Sequence, residues 1–317
     1  MVLACRLDAS DSRSVYETDF DSHCGTTTIM KPISCWTRFW LIASVIGHLT
    51  VGDTVHADDK DVSALLKTFD SEFISIAPGK DKYPASFEMG DSKGEPSTQP
   101  QHTVTMKNDF AIAKYEVPQN LYDAVMGTNP SRWKGLRNSV ELMTWKDANE
   151  FCKKITRRMR SEKLIGDDEF IRLPSEAEWE YCCRAGTTTR YSFGDQAQRE
   201  ADVSAKASIL DAYGWHTGNA QGNDPAVGAL KPNPWGLYDM HGYLWEFTAD
   251  SWSPDYQNAP ADGSAVKPVG EPWAIVLRGG SWKDDYKKLG STARRRFLLP
   301  EKDDAVGIRC VKSKTAN

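Results

Sequence analysis

Few side chains in this sequence have the type and spacing to do chemistry, and they are unevenly spread. The stretch GLYDMHGYLWEF, residues 236–247, sets two carboxylates, Asp239 and Glu246, among large aromatics with Gly242 between them. It is too polar for a plain core strand and too aromatic for an ordinary loop. Such oxygens, on a turn that glycine can tighten, suit a hard cation; the same acids could instead cap helices or pair with arginines. Asp284, Asp285 and Tyr286 could be imagined as acid–base groups, but adjacent acids in a lysine-rich loop more often face solvent. Downstream of residue 57 the histidines are His102, His216 and His241, too scattered for the ligand spacing of a zinc or iron site.

The chain's opening residues do not look like part of a fold. From Met30 it reads MKPISCWTRFWLIASVIGHLTVGDTVHADDK: Lys31 and Arg38 lead into an apolar run from Phe39 to Val51, and Val55-His56-Ala57 has the small-residue pattern of a signal-peptidase cut. The run is shorter than the roughly 18 apolar residues that spanning a membrane needs, so the expectation is a secreted or periplasmic protein with no stable membrane anchor. Residues 1–29 are polar and patternless, a dubious start ahead of a second methionine. The predicted organisation is a leader over 1–57 (early start 1–29, signal peptide 30–57), an N-terminal linker over 58–72, one domain over 73–313 and a tail over 314–317.

Composition narrows the class. The 317 residues are 40% hydrophobic with 11 tryptophans, enough for a globular core, and the formal net charge of -5 offers no field to attract a phosphate backbone. The arginine clusters at 157–160 and 294–296 read as solvated or carboxylate-paired surface, and no nucleic-acid partner is expected. Of seven cysteines, Cys5, Cys24 and Cys35 fall in the leader, leaving Cys152, Cys182, Cys183 and Cys310 in a compartment that permits disulfides.

Two segments have helical patterning. MTWKDANEFCKKITRRM carries apolar residues at Trp145, Ala148, Phe151, Cys152 and Ile155, and RLPSEAEWEYCCRAG has a Ser175/Glu178 capping box with Gly186 as a stop. After Gly186 come Gly, Pro, Asn, Asp and Trp over short apolar runs. Such a chain needs metals, cross-links or aromatic anchors to hold loops that secondary structure does not.

Seven blocks in order, FEMGD at Phe87, YEVPQNLYDAVMG at Tyr115, SVELMTWKDANEFC at Ser139, RLPSEAEWEYCCRAG at Arg172, NPWGLYDMHGYLWEFTADSW at Asn233, LRGGSW at Leu277 and VGIRC at Val306, resemble the formylglycine-generating enzyme family, also called sulfatase-modifying factors. The resemblance implies a single irregular α+β domain of C-type-lectin-like type, low in secondary structure, with two helices beside a small twisted sheet. It implies a structural Ca²⁺ held by the side chains of Asp239 and Glu246 and the carbonyls of Gly242 and Leu244. It also implies a Cys152–Cys310 disulfide and a pocket containing Trp245, Ser281 and Arg294. Cys183 matches a family cysteine whose partner position, near Ser291, is not cysteine, so Cys182 and Cys183 should stay reduced.

Family chemistry oxidises a substrate cysteine on copper held by two thiolates, the soft ligands that Cu(I) prefers. Here Asp284 and Leu289 stand where those cysteines belong, and Cys310 is the first cysteine after Trp282. Copper is therefore not expected. The resemblance leaves an exported binding or accessory module, with a sulfatase-like protein or peptide as partner, ahead of an enzyme with other chemistry in the same pocket, and both ahead of a formylglycine-generating oxidase.

Overall fold

The computed structural model describes residues 59–315 except Val269; the predicted leader over 1–57 and the last two residues of the tail lie outside the described residues. Capping fixes where the two expected helices begin. Helix α3 (Trp145–Ser161) starts at Thr144, whose hydroxyl accepts from Asp147 N while the Asp147 carboxylate accepts from Thr144 N. Such a cap contributes about 1 kcal/mol. One face, with Phe151, Cys152, Ile155 and Met159, is buried. Helix α4 (Glu176–Arg184) starts with the same reciprocal box between Ser175 and Glu178 and ends where Ala185 and Gly186 take positive φ. All its residues are buried, so α4 runs through the centre of the molecule.

Residues 59–71 are helical where a linker over 58–72 is expected. They form α1 (Asp59–Ser71), whose Val62, Leu66 and Phe69, spaced by four and three, are buried in the same core as α2 (Gln119–Met126) and α3. Among the described residues there are thus four α-helices where two were expected.

The strands are short. β1 (Phe73–Ile76), β4 (Phe110–Ala113), β10 (Val311–Lys314) and β5 (Glu169–Arg172) form one antiparallel sheet in that order. A hairpin pairs β2 (Ser86–Met89) with β3 (His102–Thr105). The second sheet runs β8 (Arg294–Leu298), β7 (Ala274–Arg278), β6 (Trp245–Ser251), β9 (Val306–Gly307), with β6 and β9 parallel. Phe247, Leu277 and Phe297 of this sheet meet Phe151 and Ile155 of α3 in the main core. A second core gathers Trp179 and Tyr181 of α4 with Trp235 and Tyr256.

Between α4 and β6 there is no strand, and side chains hold the loop instead. Asn233 donates to Cys182 O at 2.8 Å while its Oδ1 accepts from the N–H groups of Trp235 and Leu237. Cys152 and Cys310, expected as a bridge, face each other in the core as thiols with Sγ atoms 4.0 Å apart, about twice the length of a disulfide bond. The bond is not formed here, although helix and strand bring the pair together.

Candidate functional site

A cleft of about 1230 Å³ opens between the loop after β2, the start of β8 and the turn before it. Trp245 and Asp284 line it. The Asp284 Oδ2 atom accepts three hydrogen bonds, from Trp245 Nε1 at 2.8 Å, Ser281 N at 3.1 Å and Ser281 Oγ at 2.7 Å. Fixed donors hold this carboxylate at a set position on the cleft wall, where a ligand would meet a hard, anionic acceptor. Arg190, Lys287 and Lys288 add positive charge to the lining, and Asp91 and Glu95 from the loop after β2 add negative charge.

The structure brings Trp245 and Ser281, expected in one pocket with Arg294, together around Asp284. Arg294 reaches the same cleft, but its guanidinium is committed to Glu176 at 3.0 Å and stacks on Trp252 and Tyr256. Leu289 is fully buried and packs with Tyr191, Ala197, Ala207 and Leu210. So one expected copper position is an oxygen ligand on the cleft wall and the other is core hydrocarbon. Cys183 offers no substitute thiolate: burial pushes its thiol up to about 12. Beside it His241 is lowered to about 4 by burial, and this neutral ring faces Leu289 O through Nδ1 and accepts from Ser192 N at Nε2.

Behind the cleft lies a buried charge cluster that sequence reasoning missed. Arg278 donates to Glu176 and Glu180, Arg184 to Glu180, and Arg294 to Glu176. Burial alone would raise the Glu180 carboxyl, but Arg278 and Arg184 outweigh it and hold the group below the usual carboxylate range. Asp250 completes the cluster by accepting from Glu176 N and Val266 N.

The expected cation loop lies in a second buried cluster. Glu246 accepts from Arg309 through both oxygens and from Trp179 Nε1 at 2.7 Å. Arg309 also donates to the carbonyls of Ala113, Lys114 and Tyr238. Asp239 accepts from Gly228 N through Oδ2, and its Oδ1 has no partner. Glu116, absent from the expected set, accepts weakly from Leu244 N at 3.3 Å through Oε1 and leaves Oε2 without a partner. Burial first, then the charges of Glu246 and Asp239, push the Glu116 carboxyl well above the usual range. The unmatched oxygen of Asp239 fits a hard cation; Glu246, saturated by Arg309 and Trp179, does not. Among the described residues no three His, Cys, Asp or Glu side chains group as metal ligands, so a cation here would lean on main-chain oxygens. The missed residues left a faint sequence signal: Glu116 and Arg309 are single charges inside the otherwise apolar blocks YEV and GIRC.

Comparison with known proteins agrees with this fold. Residues 62–314 match the family model of the sulfatase-modifying factor enzyme 1-like domain. The chain is 28% identical to the chaperone protein LppX of Paenibacillus barcinonensis over 88% of its own length and 99% of the relative's. It is 32% identical to the formylglycine-generating enzyme of Mycobacterium tuberculosis over 160 residues, 44% of this chain, and spans about half (50%) of that enzyme's length. Among solved structures, PvdO from Pseudomonas aeruginosa superposes with a TM-score of 0.64 at 25% identity, covering 76% of this chain and 94% of PvdO. With α2 to α4, the short-stranded sheets and the seven sequence blocks all falling within the matched span, this chain belongs to the sulfatase-modifying factor enzyme 1-like domain family.

Proposed function

We propose that the protein is an exported, non-oxidase member of its family, a binding or accessory module whose cleft takes an extended peptide segment of an exported protein such as a sulfatase. The observation that carries this reading is the replacement of the copper thiolates by Asp284, held by three donors, and by Leu289, buried in hydrocarbon. A carboxylate is a hard ligand and leucine donates nothing, so the soft pair required for Cu(I) and dioxygen chemistry is missing. Asp284 instead offers a fixed acceptor for a hydrogen-bond donor of the ligand. The name of LppX, a chaperone protein matched along nearly its whole length, supports a non-catalytic role for a chain of this kind.

A structural Ca²⁺ in the loop over 236–247, on Asp239 and the carbonyls of Gly242 and Leu244 and without the saturated Glu246, belongs to the same reading and is supported by the unpartnered Asp239 Oδ1. In the oxidising compartment that the leader implies, the facing Cys152 and Cys310 thiols are expected to close. Peptide mapping without reduction of protein from such a compartment should find them linked, with Cys182 and Cys183 free; a free Cys152 would contradict this.

The test of function incubates the protein with copper, oxygen and a peptide carrying a sulfatase-type cysteine motif. Mass spectrometry should show no aldehyde above the copper-only control, while the peptide is retained by the wild type and lost by Asp284→Asn. Aldehyde formation above that control would restore the oxidase reading.

A further inference from the structure

We propose that the free edge of β8 is the docking edge of the cleft: an extended, acidic peptide segment adds to it as a further strand, held by main-chain hydrogen bonds at Arg294 and Arg296. This rests on the peptide-binding reading above, and names how the peptide is held and what charge it carries.

The register shows which backbone groups are free. β8 pairs antiparallel with β7, with Arg294 opposite Arg278, Arg296 opposite Val276 and Leu298 opposite Ala274. Opposed residues in such a pair alternate between those that exchange hydrogen bonds and those that do not. Leu299 N donates to Trp273 O at 3.0 Å, whereas Ala274 O turns to the β6 side and accepts from Trp252 N. Counting back from these two points, Phe297 and Arg295 carry the ladder, and Arg296 and Arg294 aim their N–H and C=O groups away from β7. β8 ends the sheet on that side, and among the described residues no loop backbone bonds to either arginine. Ala293, Arg294 and Arg295 line the cleft, so a strand added here would run along its wall.

Charge selects the occupant. Open edges are commonly blunted by charged side chains, and here the arginines reject a second copy of the chain, since two-fold pairing would set arginine opposite arginine. Two of the three are neutralised within the domain, Arg294 by Glu176 and Arg295 by Asp303. Arg296 instead lies 4.2 Å from the ring centroid of Trp273, and Trp273 and Leu298 are 62% and 38% exposed. A cation beside open apolar surface suits a strand that alternates acidic and apolar side chains. Lys287 and Lys288, in the turn that leads into β8, extend the positive charge into the cleft. In strand addition the main chain supplies affinity and the alternate side chains supply specificity.

The experiment measures binding of fluorescent peptides to the full chain by anisotropy at about 0.15 M salt. The probes are a short peptide of alternating glutamate and valine, its lysine–valine counterpart, and the glutamate peptide N-methylated either on its valines or on its glutamates. The glutamate peptide should bind at least about tenfold more tightly than the lysine peptide. Methylation should weaken it at least about tenfold in one frame and leave it unchanged in the other, because only alternate N–H groups face β8. Arg296→Pro removes an N–H that faces away from β7, which an edge strand tolerates, so it should melt with the wild type and lose the peptide. Failure of the glutamate peptide to bind, a preference for lysine, equal effects in the two methylated frames, or a folded Arg296→Pro that keeps the peptide would overturn this docking mode. Retention of the sulfatase-type peptide would then leave the peptide-binding reading standing, and a wild type that holds none of these peptides would overturn both. If Arg296→Pro does not fold, the methylated frames decide.

Discussion

Two buried charge clusters lie on either side of Trp179, and they are built to different completeness. In the Arg278 cluster three arginines, Arg184, Arg278 and Arg294, face Glu176, Glu180 and Asp250, and every carboxylate oxygen accepts at least one hydrogen bond. In the Arg309 cluster one arginine faces Glu116, Asp239 and Glu246, and two carboxylate oxygens have no donor. Burial is nearly total in both. The difference shows that burial of charge is not itself a sign of a site: a balanced network backs the cleft wall, and an unbalanced one leaves two carboxylate oxygens unpartnered.

The largest expected effects come from removing the central arginines. Arg278→Met removes the guanidinium shared by Glu176 and Glu180, leaving them Arg294 and Arg184, and Arg309→Met leaves Glu246 with no cation; each should cost about 3–5 kcal/mol, read from denaturant melts. Millimolar calcium should recover part of the loss in Arg309→Met and none in Arg278→Met. Equal recovery, or none in either, would erase the distinction between the clusters.

Chelation probes the Arg309 cluster alone. At calcium a hundredfold above its dissociation constant the ion contributes about 2.7 kcal/mol, so chelator should lower the melting temperature by about 5–10 °C and calcium should restore it. A melt that ignores chelator would remove the ion from the account. Trp179 joins the two clusters, donating to Glu246 while Arg278 stacks 5.3 Å from its ring centroid. Trp179→Phe keeps the ring and deletes one charged hydrogen bond, an expected loss of about 1.5–3 kcal/mol; a neutral result would mean that Arg309 alone satisfies Glu246.

The smallest effect concerns a buried acid in neither cluster. Burial raises Glu141 from 4.5 to about 7, despite the N–H groups of Trp133 and Arg132. With the folded value above the unfolded one, the folded state holds its proton more tightly, so this group's stabilising share is present below about 4.5 and is lost as pH rises to about 7. Glu141→Gln should flatten the stability profile across that window by a few degrees at most, about 2–4 °C. An unchanged slope would mean that Glu141 is ionised in the fold.

Local chemistry was legible in the sequence and long-range pairing was not. The Ser175/Glu178 capping box adjoins α4, and the spacing of Trp145, Ala148, Phe151, Cys152 and Ile155 marks α3, so both helices followed from signals a few residues long. Helix α1 was passed over as a linker although Val62, Leu66 and Phe69 carry helical spacing, because it adjoins the polar end of the leader. The resemblance grouped Trp245 and Ser281 with Arg294; the hydrogen bonds that join the first two to Asp284 lie between motifs far apart in the chain. The fate of three adjacent arginines was not readable: Arg294 packs onto Glu176, Arg295 pairs with Asp303 and Arg296 stacks on Trp273. Likewise, nothing near Glu116 in the chain announces that Arg309 and Asp239 will be its neighbours.

The most direct test of the central claim is elemental analysis of the full chain after equilibration with both Ca²⁺ and Cu(I) and removal of unbound metal. A protein that keeps the family's fold and hard-cation loop without its soft thiolate pair should retain about one calcium per chain and only background copper. Stoichiometric copper, with or without calcium, would contradict the account.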